Sequence, residues 1–168
     1  MKETFVDIIR LPDDVKIQTE TSPLRYEEAG VENPVRAEVK FTVEDGVLGV
    51  WLYPNGDAVR SVRLRFDGDL SGVVAVLGDA VERCGAGDAV WHAVNPHQRL
   101  PWYFFTNDGE CLHSYGVKTG GNSIAFWYTD PFGITLLLDT GNGAGGTVAE
   151  ELLCGEVICQ RGNAGMDP

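Results

Sequence analysis

The 168 residues suit one domain, long enough to bury a hydrophobic core without metal or disulfide staples. A hydrophobic fraction of 43% beside 23% charged residues excludes a disordered chain. A net charge of −12, with 13 dispersed Lys and Arg, excludes the clustered basic surface that nucleic acid requires. Acids interrupt the first residues where a signal peptide needs an apolar core, and no apolar run reaches membrane-spanning length, so a cytoplasmic, membrane-free protein is expected.

In chain order, apolar runs separated by turn residues predict strands at 5–11, 16–21, 35–43, 47–53 and 59–66, then at 73–77, 102–106, 111–118, 123–129 and 134–139. Period-two alternation is clearest where Val35, Ala37, Val39, Phe41 and Val43 face one way and Arg36, Glu38, Lys40 and Thr42 the other. Val62, Leu64 and Phe66 repeat it against Arg63 and Arg65, which read as the solvated face of a strand. Pro54-Asn55-Gly56-Asp57 predicts a primed turn joining 47–53 to 59–66 as a hairpin. Further turns are predicted at 107–109, 120–122 and 130–133, and a short helix at 148–153. Many short strands and 21 glycines point to an all-β sandwich or barrel of antiparallel sheets with little helix.

Motifs for chemistry are sparse. Gly141-x-Gly143-x-x-Gly146 has the spacing of a dinucleotide fingerprint, but barely twenty residues follow it and hairpins precede it. It is read as a glycine loop, and no cofactor is expected. Cys84, Cys111, Cys154 and Cys159 show no CxxC spacing; they are read as reduced thiols, with no zinc site. His92, His97 and His113 are expected as hydrogen-bonded turn or strand residues. Asp79 with Glu82, or with Asp69, is the candidate carboxylate pair for sugar hydrolysis, against a background of 25 acids. Arg83 is expected to tie down the loop of Asp79 and Glu82. Trp91 and Trp102 are the ligand candidates, because a flat indole stacks on the apolar face of a pyranose. Within residues 101–105, PWYFF, Trp102 is expected in the core; for Trp91 the core and ligand roles stand level.

The collinear segments LGDAVER (77–83), GAGDAVW (85–91), LPWYFFTNDG (100–109), HSYGVKTG (113–120), IAFWYTDPFGI (124–134) and LLLDTGNGAGG (136–146) resemble the N-terminal β-sandwich domain of family 36 glycoside hydrolases, best known for α-galactosidases. The resemblance implies an antiparallel β-supersandwich of the galactose mutarotase-like kind over 1–161, with 162–168 as the start of a linker or a frayed tail. In that family both catalytic aspartates lie in a following (β/α)8 barrel, and nothing in this chain resembles the motifs that carry them. The implied domain is therefore non-catalytic, without cofactor or metal, and shapes the rim of a sugar site. Its implied partners are the barrel of the same polypeptide, galactose-containing saccharides and a second copy. By position, Asp79, Arg83, Trp91 and Trp102 are the rim or interface candidates. A free-standing carbohydrate-binding module is the alternative. An epimerase would need a histidine and a carboxylate converging on one concave sheet face.

Overall fold

A computed structural model describes residues 3–19, 35–78, 91–118, 122–140 and 147–162. The described residues form ten strands and no helix: β1 (Asp14–Thr19), β2 (Glu38–Glu44), β3 (Val47–Tyr53), β4 (Val59–Asp67), β5 (Ala75–Leu77), β6 (Tyr103–Asn107), β7 (Leu112–Val117), β8 (Ile124–Asp130), β9 (Gly133–Asp139) and β10 (Leu152–Gln160). They make two antiparallel sheets, one in the order β1-β4-β9-β8 and one in the order β2-β3-β10-β7-β6-β5.

Alternation decides which side of each strand is buried. Val62, Leu64 and Phe66 of β4, Ile134, Leu136 and Leu138 of β9 and Trp127 of β8 turn inward from the four-stranded sheet. Leu48, Val50 and Leu52 of β3, Phe104 of β6, Tyr115 of β7 and Val157 of β10 meet them from the other. The layers touch where the Phe104 and Trp127 rings lie 5.4 Å apart, in a sandwich-like packing. Each such fully buried side chain contributes about 1.5–3 kcal/mol.

Three local expectations are corrected. Residues 5–11 join neither sheet; Val6 and Ile8 are buried and Val6 N–H donates to the Tyr115 hydroxyl at 3.0 Å, so the segment is packed by side chains. Residues 148–153 are not helical: Val148 bridges to Val59, and β10 begins at Leu152. Pairing with β3 slips between Leu153 and Gly155, a bulge that reverses side-chain parity and hides the strand's period. Nor are β3 and β4 a hairpin, since they belong to opposite sheets. Asn55 and Gly56 do take the positive φ of a primed turn, 52° and 95°. However, the Asp57 carboxylate accepts the Arg36 and Ala37 amides at 2.6 and 2.8 Å, so the turn braces the entry to β2 while the chain crosses between layers. Strand β3 instead forms a hairpin with β2, closed by Asp45 (φ 51°) and Gly46 (φ 73°).

Candidate functional site

The segment 99–105 passes from one sheet to the other and carries an aromatic cluster led by an exposed Trp102. Leu100 exchanges two backbone hydrogen bonds with Trp127 at the edge of β8, at 2.9 and 3.1 Å. Pro101 favours an extended Leu100 and carries the chain across the seam. The Trp102 carbonyl then accepts both the Val117 amide, at 2.9 Å, and the Trp127 indole N–H, at 3.0 Å. Its backbone is thus held from both layers while its side chain stands 48% exposed. Core packing was expected of Trp102; Trp127, fully buried, fills that role instead.

Period two places Tyr103 and Phe105 on the outward face of β6, opposite in sense to buried Phe104. The Trp102 and Tyr103 rings meet edge-on at 4.5 Å, and Tyr103 and Phe105 at 6.0 Å. Across the sheet Tyr103 faces Gly116, which in turn faces Ile158 of β10, itself 38% exposed. An added Cβ at Gly116 would lie 3.6 Å from the Tyr103 Cβ, so the glycine leaves a shallow dip beside the tyrosine. Trp91 is half-buried; in the register of the Val76–His92 bridge it stands opposite Leu77, which pairs with Phe105. The two predicted tryptophans therefore flank one aromatic ledge. Asp79, Glu82 and Arg83 lie outside the described residues, as do Gly141, Gly143 and Gly146. The strands on either side of that loop, β9 and β10, belong to different antiparallel sheets, so no βαβ unit surrounds it.

Across the seam a second layer of contacts went unforeseen. The Arg99 guanidinium lies 4.6 Å from the Phe126 ring centre, and its Nε donates to the Tyr128 hydroxyl at 2.9 Å. Arg63 lies over the other end of the same surface, 5.9 Å from the Tyr128 ring centre. Only Phe126 and Tyr128 carried a sequence signal, their outward parity on β8.

Acid–base chemistry finds little footing. Asp130 is pushed upward by burial, but the Arg65 fork at 2.6 and 3.0 Å and the Phe132 amide outweigh that, and its carboxyl is held below the usual range. Arg10 lowers Asp13 in the same way. Asp69 closes its own turn on Ser71. His113 and Asp108 approach to 3.9 Å, yet His113 is 2% exposed and both its ring nitrogens are engaged, by Thr4 and by the Gly162 amide. That pair is a packed strut and cannot touch a sugar ring. Among the described residues no three His, Cys, Asp or Glu side chains gather as a metal site. No family model, no curated protein and no solved structure matches this chain.

Proposed function

We propose that this chain is a non-catalytic β-sandwich domain of an α-galactosidase-like glycoside hydrolase. It packs beside a (β/α)8 catalytic barrel of the same polypeptide and shapes the rim of that barrel's sugar site. The sandwich is then of the supersandwich, mutarotase-like kind. The observation that carries this reading is the ledge of Trp102, Tyr103 and Phe105, held outward at a seam where the backbone is anchored from both sheets. An exposed indole on a rigid mount supplies a large contact area at small entropic cost. The ledge lies inside LPWYFFTNDG, one of the segments that carry the family resemblance. Free thiols at Cys111, Cys154 and Cys159 suit a reducing, cytoplasmic setting.

The free exposure of Trp102 favours a second reading, a self-sufficient carbohydrate-binding module. Titrating the chain with galactose, melibiose and raffinose while following tryptophan fluorescence separates the two. Saturable quenching that disappears in Trp102→Ala supports the module. No response to any of the three sugars leaves the ledge to a neighbouring domain. Saturable binding that survives Trp102→Ala removes the ledge from both readings, and hydrolysis of an α-galactoside by this chain alone overturns the non-catalytic assignment.

A further inference from the structure

We propose that His113 is an acid-sensitive latch that holds the C-terminal end of the sandwich, residues 161–162, against β7. The imidazole joins three parts of the chain. Its Nδ1 accepts the Gly162 amide at 3.1 Å, so Nδ1 carries no proton and the neutral ring bears its proton on Nε2. That Nε2–H donates to Thr4 Oγ1 at 3.2 Å, and the Thr4 hydroxyl donates to the Asp108 carboxylate at 2.6 Å. The N-terminal segment, the β6–β7 turn and the chain beyond β10 thus meet on one buried side chain.

Gly162 is fitted to this place. A Cβ there would collide with the Leu112 carbonyl, so the backbone lies directly on β7, continuing the ladder in which Gln160 faces Ser114. Arg161 adds a cover, its guanidinium 5.1 Å from the Phe5 ring centre and 3.7 Å from the Glu3 carboxylate. Phe5 in turn meets His113 edge-on at 5.2 Å.

Protonation acts on the two sides of the ring unequally. A second proton can enter only at Nδ1, where it points at the Gly162 N–H and turns an acceptor–donor pair into two opposed donors. On the other side Nε2–H keeps its bond to Thr4, and the new positive charge faces Asp108, 3.9 Å away. The charged groups around the ring are Asp108 of the turn, Glu3 of the N-terminal segment and Arg161 of the C-terminal one, with the Cys111 thiol beside Asp108 and, next to it, Glu110. Burial, the largest influence, together with the Arg161 charge disfavours the imidazolium more than Asp108 and Glu3 favour it. Acid therefore loosens the C-terminal end selectively and leaves the N-terminal segment in place.

Amide exchange of the ¹⁵N-labelled chain, corrected for intrinsic rates, tests the latch. Protection of Gly162 should fall about tenfold for each pH unit below ~6.5 until the folded-state titration is reached. Val6, whose amide is bonded to Tyr115 and not to the ring, should keep its protection over the same range. His113→Asn places a non-titrating oxygen near the Nδ1 position and should give a flat Gly162 profile. Parallel loss at Gly162 in wild type and His113→Asn overturns the latch. If that variant does not fold, the wild-type ring and amide resonances decide: His113 and Gly162 titrating with one midpoint support it, and separate midpoints overturn it.

Discussion

Trp102 and Trp127 show how one residue type takes opposite roles 25 positions apart. Trp127 is fully buried with its indole N–H satisfied by the Trp102 carbonyl, whereas the Trp102 ring is 48% exposed. Trp127→Ala should cost about 3–5 kcal/mol in a urea unfolding experiment. Trp102→Ala should stay within about 0.5 kcal/mol, its effect reserved for ligand or domain binding. The thiols make a second residue-scale prediction. Burial pushes Cys154 up to about 11 and also raises Cys159. Ellman's reagent at mildly alkaline pH should therefore leave Cys154 unmodified in the native chain and label it at once in urea. Of the candidate site, Trp91 and Trp102 were legible as ligand candidates because indole chemistry is local. The exposure of Trp102 was not, because PWYFF reads as core until Leu100 is seen to pair with Trp127.

Among the elements, the outer side of the four-stranded sheet carries a two-pronged polar tie. Arg65 of β4 reaches past β9, bonding Thr135, to grip Asp130 at the end of β8, with Asp67 alongside. The close approach of Gly133 to this fork requires glycine, since a Cβ would meet the Phe66 carbonyl and the guanidinium. Asp130→Ala removes two charge-assisted bonds and the cap on Phe132, and should cost about 1–3 kcal/mol at neutral pH. The sign with pH follows from the lowered Asp130 carboxyl. The folded state binds this proton less readily than the unfolded one, so the contribution is complete above about pH 3.9 and fades as pH falls through the folded-state value. Paired denaturation curves of wild type and variant should converge below that pH. The strand β3 was read from sequence with its observed bounds, 47–53, because its apolar run is closed by turn residues on both sides. Strand β10 was missed, because the bulge at 153–155 breaks the period that betrays a strand.

For the molecule as a whole, −12 net charge sets a global self-repulsion. Raising ionic strength from low to moderate should lift the melting temperature, since screening weakens repulsion between exposed acids more than the half-buried Arg65–Asp130 pair. A flat or falling melting temperature would mean that local pairs dominate. The sheet class, most strand positions and the inward set on β4 were legible in the chain, because alternation is written within a few neighbouring residues and needs no partner to be seen. Sheet membership was not. Asp57 bonding the Arg36 and Ala37 amides, Leu100 crossing to Trp127, and Gly162 closing on His113 each join residues from about 20 to about 50 positions apart. Such contacts are selected by the packing of two layers on one core, a condition no local pattern expresses. Consequently a primed turn that reads as a hairpin became a bridge between sheets, and a core tryptophan became a ledge.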